Sequence, residues 1–400
     1  MRILFVPNVP FPSHWAGGIQ TIVEELGTRC QAAGHTVTVL SPPLLRVEDA
    51  GSSSLRCVYL PIPPYRRHRS RWRRLREFLR KPRGAKALEN FLELWRPDIV
   101  NSHLSPGRNL VTLVHACNSL HIPLVESLHA VAIVVPGGIG PDPEIFTTLQ
   151  YVTALTAVSD AVKTSYERVF SAARNAKTII GGVDTAGADS AMPFLRQRPY
   201  IFSAGRLKLS AKAVDTLISG FAIIAPEYPD LDLLIAGAGP DRTKIERQIV
   251  ENRLSERVQL LGPKSRLELW SLYKGAILFA SPSRVVEGLG LVFLESMACG
   301  TAVIATGRGG TPEIVLDGET GLLLETDNSI ELASKIRYLL NNPTLIRHMG
   351  EQGRKVAALY SWDQVTDSFM QVYRFCVAMS QWPDNFGRSS GDRSKPEFPF

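Results

Sequence analysis

Cysteine is sparse and scattered. Cys30, Cys57, Cys117, Cys299 and Cys376 are the five in 400 residues, and no two form a C-x-x-C pair. An odd, dispersed set argues against a disulfide framework and against structural zinc, and for a reducing compartment. No run approaches the ~20 apolar residues that a membrane-spanning helix requires. The opening MRILFVPNVP offers only a short apolar stretch before proline breaks it. A secretory leader needs a longer one ending in small residues, so the segment reads as a first buried strand. The expected location is the cytosol, or a membrane surface reached from the cytosolic side. Also missing is G-x-G-x-x-G directly after the first strand, with an acid closing the second, as a nicotinamide-dependent oxidoreductase would require. PNVPFPSHWAGG follows RILFV instead, and AGAGPD further on carries only part of that fingerprint.

The remaining composition is that of an ordinary globular protein, 44% hydrophobic and 21% charged, and the length favours two domains over one core. The formal charge of +7 is concentrated in one place. Arg66, Arg67, Arg69, Arg71, Arg73, Arg74, Arg76, Arg80, Lys81 and Arg83 face Glu77 alone. The rest of the chain holds 35 basic against 37 acidic residues. Within this segment Trp72, Leu75, Phe78 and Leu79 recur at helical spacing. Such a helix suits an anionic membrane surface, and equally a solvated helix packed on its own domain. Nucleic-acid binding is a third reading, without a stacking platform or recognised motif to support it.

Hydrophobic patterning predicts a strand at 2–6, a Pro- and Gly-rich loop through Gly17 and Gly18, a helix carrying Ile19, Ile22, Val23 and Leu26, and a strand at 37–40. Further strands are expected at 98–102, 124–127 and 154–157. After a weakly structured stretch at 184–198, a second series is expected: strands at 200–204, 231–236, 258–261, 276–280 and 302–305. Helices are expected at 213–224, 243–252 and 291–299, and a final one at 362–379. Two strand–helix series imply two Rossmann-like domains facing each other, with chemistry beyond the strand C-termini. The polar tail, residues 381–400, reads as disordered.

The sharpest local pattern is Glu287-Gly-Leu-Gly-Leu-Val-Phe-Leu-Glu295, between an apolar strand and Gly300. Gly288 and Gly290 permit close backbone approach to a ligand, and the helix beginning there offers unpaired N–H groups to a phosphate. Glu295, one turn into that helix, can accept from two neighbouring hydroxyls. Taken alone, the stretch reads equally well as a helix capped by Glu287 with Glu295 in a surface ion pair. Arg206 and Lys212 follow the strand YIFSA and suit a departing diphosphate, or else are solvated loop charges. Gly309-Gly-Thr-Pro-Glu313 is a further Gly-rich turn after a strand. Asp230-Leu-Asp232 spells D-x-D but directly precedes LLIAGAG, so it reads as the start of a strand rather than a metal site.

In order along the chain come Gly17-Gly18, Gly34-His35, GGVD (Gly181–Asp184), GRL with a following lysine, IAGAGP, EGLGLVFLE, ACGTAVIAT, GGTPEIV and DGETGLL. Together they resemble the large retaining glycosyltransferase family 4, of GT-B fold, from about residue 1 to 375, most densely in the second half. The resemblance implies an α/β protein of two facing Rossmann-like domains with parallel sheets: residues 1–185 on the acceptor side, 186–362 binding the nucleotide sugar, and a helix at 363–380 returning to the first. It implies that Arg206 and Lys212 hold the donor pyrophosphate, that Glu295 bonds the ribose and that Glu287 contacts the sugar. Backbone amides of Gly288, Leu289, Gly290 and Leu291 would complete the cradle, with Gly18 approaching from the other domain. His129 matches a histidine facing the transferred sugar, and His103 occupies a similar strand-end position.

Two departures stand out. The family has one residue fewer between the Arg and the Lys and a Gly where Ala213 stands, which leaves Lys208 as a substitute for Lys212. Gly181 replaces an asparagine, which should affect turn geometry. The implied activity is metal-independent, cofactor-free transfer from a UDP- or GDP-sugar to a glycan or lipid-linked acceptor, in cell-surface polysaccharide or glycolipid synthesis. The Arg66–Arg83 segment would meet an anionic membrane, and no nucleic acid is expected. The competing expectations are a non-catalytic membrane or nucleic-acid adaptor built on that segment and, less favoured, the oxidoreductase.

Overall fold

The computed structural model describes residues 1–11, 17–42, 53–60, 62, 83–132 and 148–381. The arginine-rich segment (Arg83 apart) and the 381–400 tail (Gln381 apart) lie outside the described residues. The chain divides into two compact units, one of Met1–Ile180 together with the chain from Val365 onward, the other of Gly181–Gln364.

In the first unit the strands are β1 (Arg2–Pro7), β2 (Thr36–Ser41), β3 (Arg56–Tyr59), β4 (Ile99–His103), β5 (Leu124–Leu128), β6 (Ala154–Ala157) and β7 (Lys177–Thr178). They lie in the order β3-β2-β1-β4-β5-β6-β7, and every neighbouring pair is parallel. Helices α1 (Gly18–Ala32), α2 (Arg83–Trp95), α3 (Arg108–Ser119) and α4 (Asp160–Glu167) connect them. A parallel sheet covered on both faces needs apolar strands without alternation. Ile3, Leu4, Phe5 and Val6 are accordingly all buried. Ile22, Val23, Leu26 and Cys30 form the buried stripe of α1. The Gly17 N–H at its start donates to the Gln20 side chain at 2.7 Å.

The second unit contains α5 (Thr185–Ser190), β8 (Tyr200–Ala204), α6 (Val214–Ile224), β9 (Asp232–Ala236), α7 (Arg242–Glu251), β10 (Val258–Gly262), α8 (Arg266–Gly275) and β11 (Leu278–Ser281). It continues through α9 (Leu291–Ala298), β12 (Ala302–Thr306), α10 (Thr311–Ile314), β13 (Gly321–Leu324), α11 (Ser329–Leu340) and α12 (Pro343–Ala358). Its parallel sheet runs β10-β9-β8-β11-β12-β13. Leu217, Ile218 and Phe221 of α6 share one core with Leu233, Ile304, Leu332 and Ile336. Within the stretch expected to be weakly structured lies α5, whose first turn is held because the Asp184 side chain accepts the Gly187 N–H at 2.9 Å.

The last helix, α13 (Trp362–Ser380), carries Tyr373, whose hydroxyl donates to Asn101 Oδ1 on β4 at 2.6 Å. Asn101 Nδ2 donates in turn to Ser127 Oγ on β5 at 2.9 Å, and Thr156 Oγ1 on β6 donates to the same oxygen at 2.8 Å. All four residues are buried, and this satisfied polar chain spans three strands.

Each strand order reverses once, between β1 and β4 in one sheet and between β8 and β11 in the other. Open parallel sheets bind ligands outside the strand carboxyl ends at such reversals.

Candidate functional site

In the second unit the loops leaving β8 and β11, the two strands at the reversal, meet through side chains. Lys212 Nζ lies 2.5 Å from Glu287 Oε1, and Ser283 Oγ donates to the same oxygen at 2.6 Å. The loop after β12 joins them, since the Gly310 N–H donates to the Glu287 carbonyl at 3.0 Å. Glu287 is thus fixed by three loops and does not cap the following helix. Arg284 braces the same region: its guanidinium grips Asp215 through two bonds of 2.7 and 3.0 Å, pairs with Asp327 at 2.9 Å and donates to the Leu209 carbonyl at 2.8 Å.

Arg206 stands apart from this network. It is exposed, and its guanidinium has no ion pair or hydrogen bond among the described residues. Lys208 is also exposed and acts electrostatically on Asp241, so Lys212 is the lysine joined to Glu287. Ala213, where the family carries glycine, is buried at the start of α6 and donates its N–H to the Pro282 carbonyl at 3.2 Å.

AGAGP, which the sequence presents as a partial nucleotide fingerprint, proves to be a backbone brace. The Gly205 N–H donates to the Ala236 carbonyl at 3.0 Å and the Leu207 N–H to the Ala238 carbonyl at 2.9 Å. Asp241 adds a side-chain bond from the Leu209 N–H at 2.9 Å. At Gly237, φ is +134°, and a Cβ there would lie 1.9 Å from the Gly205 carbonyl oxygen. Only glycine lets the two loops approach this closely, and the loop so held is the one bearing Arg206.

Helix α9 begins at Gly290, which has φ +91° in the left-handed region. A Cβ at that position would meet the Phe293 ring at 2.6 Å. Among the described residues no side chain caps the helix and no acid lies in its first turn, so the positive end of its dipole can favour an anion. Glu295, one turn on, is half-buried and accepts from the Tyr273 hydroxyl at 3.0 Å through Oε2. Its Oε1 has no protein partner among the described residues. Burial pushes the Glu295 carboxyl above its usual range, opposed by the Tyr273 bond and by Arg266. Tyr273 is fully buried, its ring set against Phe202, Phe279 and Trp270. Gly181 packs beneath this loop: a Cβ there would fall 2.7 Å from Leu291 Cδ2 and 3.4 Å from Leu289 Cδ2.

The D-x-D acid Asp232 is buried at the start of β9, 2.8 Å from Arg196 and 3.4 Å from Arg257. Among the described residues no group of three or more His, Cys, Asp or Glu side chains is placed to hold a metal. None of their helices is long and apolar enough to cross a membrane.

The first unit holds Gly18, at the start of α1 after β1, and His129, after β5. His129 Nε2 lies 2.7 Å from Nδ1 of His103, the last residue of β4, with ring centroids 4.9 Å apart. The sequence gives His103 a strand-end position and no role; a contact across 26 residues is not visible in local pattern. Burial pulls His129 down to about 4 and His103 well below the ordinary imidazole value, so both rings are neutral at physiological pH. On β5, Glu126 is fully buried and accepts the Ser105 N–H at 2.9 Å, and burial pushes its carboxyl up to about 8.

Among the described residues the second unit therefore combines an uncapped helix N-terminus, a guanidinium without an ion pair, a lysine held by a carboxylate and a half-buried carboxylate with one oxygen unbonded. Those groups can bind a polyanion next to a pair of hydroxyls.

Two family models match in tandem: Glycosyltransferase Family 4 over residues 16–186 and Glycosyl transferases group 1 over residues 191–356. An uncharacterized glycosyltransferase of Methanocaldococcus jannaschii is 40% identical over 162 residues, 40% of this chain and 44% of that protein. The phosphatidyl-myo-inositol mannosyltransferase of Mycobacterium tuberculosis is 27% identical over 378 residues, 91% of this chain and 94% of its own length. Among solved structures, Anabaena HepE in complex with UDP-glucose superposes with a TM-score of 0.75 at 18% identity, covering 94% of this chain and all of that one.

Proposed function

A chain matched in one half by the Family 4 model and in the other by the group 1 model belongs to the GT-B glycosyltransferases of family 4, and on that premise we propose that it is a retaining enzyme using a UDP- or GDP-sugar. The observation carrying this reading is the meeting of Lys212, Glu287 and the uncapped start of α9 at the β8/β11 reversal. Arg206, Lys212 and the amides of Gly288 to Leu291 take the diphosphate, offsetting the charge that grows on the leaving oxygen. Glu295 Oε1 receives the ribose hydroxyls, and Glu287, steadied by Lys212 and Ser283, meets the sugar. In the first unit, His129 faces the transferred sugar, and Gly18 approaches the donor through its backbone.

In a retaining reaction the bond from the anomeric carbon to the diphosphate oxygen breaks and the acceptor oxygen bonds on the same face. The released phosphate oxygen takes the acceptor proton, so no carboxylate base is assigned. No metal is assigned either, because the cationic side chains and helix amides supply the positive charge. The acceptor is a glycan or lipid-linked hydroxyl in cell-surface polysaccharide or glycolipid synthesis, met at the cytosolic face of a membrane through the Arg66–Arg83 segment. The M. tuberculosis relative, whose name specifies phosphatidyl-myo-inositol, supports a lipid-linked acceptor. The oxidoreductase alternative loses its remaining support because AGAGP is engaged in bracing the loop of Arg206.

Thermal-shift titration against UDP-, GDP- and ADP-sugars tests the donor class, since a ligand selective for the folded state raises its melting temperature. Stabilisation by UDP or GDP compounds, with product NMR showing the donor's anomeric configuration kept, is expected. An inverted product, or no response to any nucleotide sugar, refutes the proposal.

A further inference from the structure

His103 is fully buried, its ring stacked on Phe5 at 6.1 Å between centroids. Its Nδ1 meets His129 Nε2 at 2.7 Å, while its own Nε2 is buried without a partner among the described residues. Between two neutral imidazoles one nitrogen donates and the other accepts, and the choice sets both tautomers. If His129 donated, His103 would carry its proton on Nε2 and bury an unmatched N–H. If His103 donates from Nδ1, the unmatched atom is a bare acceptor, a deficiency that interiors tolerate more often. His129 then carries its proton on Nδ1, which has no partner among the described residues.

We infer that His103 is a positioning residue for His129: by donating Nδ1–H to His129 Nε2 it locks the outer imidazole as an Nδ1–H hydrogen-bond donor aimed at a sugar hydroxyl. This rests on the proposal that His129 faces the transferred sugar. The lock makes His129 a neutral donor that neither abstracts a proton nor rotates to offer its other nitrogen. It also places the residue that governs His129 on the neighbouring strand, out of reach of substrate.

Long-range 15N–1H correlation spectra of the full chain labelled with 15N-histidine read the tautomers directly, with assignment from the His103→Asn and His129→Gln spectra. Both rings are expected to show protonated Nδ1 and bare Nε2; protonated Nε2 on His129 would overturn the inference. In transfer assays His103→Phe should lower kcat about 10- to 100-fold with donor KM nearly unchanged, as expected for a misaligned contact. His103→Asn, whose amide can donate from near the Nδ1 position, should recover most of that loss. Wild-type turnover in His103→Phe, or no recovery in a folded His103→Asn, would defeat it. Wild-type turnover in His129→Ala would instead refute the role of His129 itself, with the tautomer still readable in the same spectra.

Discussion

Lys212 and Glu287 are 75 residues apart in sequence and 2.5 Å apart through Nζ and Oε1, joining the loops that leave β8 and β11. The pair places a cation on Glu287, in the loop that leads into α9, and holds the Glu287 carboxylate in one orientation. Among the described residues Arg206 makes no such contact, and its side chain is exposed. Arg206→Ala should therefore lower kcat by about 10²- to 10³-fold, with stability within about 0.5 kcal/mol of wild type. Lys212→Met should lower kcat and also destabilise, because Glu287 loses its cation. Steady-state transfer assays beside denaturant melts separate the two; a fully active Arg206→Ala enzyme would sink the assignment.

Glu295 has one oxygen occupied by Tyr273 and the other without a partner among the described residues. Glu295→Ala should raise donor KM by about 10- to 100-fold, the range for hydrogen bonds to a charged group. Tyr273→Phe should raise it less, since the carboxylate stays but loses its orientation. Isothermal titration with the nucleoside diphosphate alone checks both, and equal affinity in wild type and Glu295→Ala would remove the ribose contact from the scheme.

Glu126 predicts a pH effect on stability. Burial raises its carboxyl from 4.5 to about 8 in the folded chain. Between those values the folded state keeps a proton that the unfolded state releases, so stability falls as pH rises through this window and the cost is complete above about 8. The shift corresponds to at most about 5 kcal/mol. Glu126→Gln should flatten the decline between pH 5 and 9 in urea denaturation; parallel curves for the two proteins would contradict it.

Gly181 sits where the family carries asparagine, and a Cβ there would crowd the Leu291 side chain and touch that of Leu289. Gly181→Asn should therefore destabilise by about 1–3 kcal/mol, the usual cost of overpacking, and weaken donor binding by shifting the start of α9. Adding Leu291→Ala should recover stability. A Gly181→Asn protein as stable as wild type would show that the loop yields without cost.

Replacing Arg71, Arg73, Arg74 and Arg76 with Ser should release the protein from vesicles containing anionic lipid, at about 1 kcal/mol per charge. Sedimentation with phosphatidylserine liposomes measures this. If the wild-type protein stays in the supernatant, membrane association through this segment is refuted.

Parallel strands covered on both faces are continuous apolar runs, so β1, β8 and β12 could be read directly, and motif order singled out Glu287–Glu295, the stretch on which Lys212 and Ser283 converge ahead of α9. Long-range contacts could not be read. Tyr273 and Glu295 lie 22 residues apart, and His103 ends β4 whereas His129 follows β5. The role of AGAGP was hidden because a glycine pattern looks the same whether it approaches a phosphate or another stretch of backbone. Helix α5 was hidden because six residues carry too little periodicity, and its Asp184 cap becomes evident only from the bond to Gly187.

The bond from Tyr373 to Asn101 spans 272 residues and ties the last helix to the fourth strand. On the ribosome, Met1–Ile180 emerges first yet lacks that helix until all of Gly181–Gln364 has been made. The amino-terminal half is therefore begun first and completed last. A chain released before Val365 would keep a complete second unit while leaving the buried Asn101 amide oxygen without the hydroxyl that satisfies it.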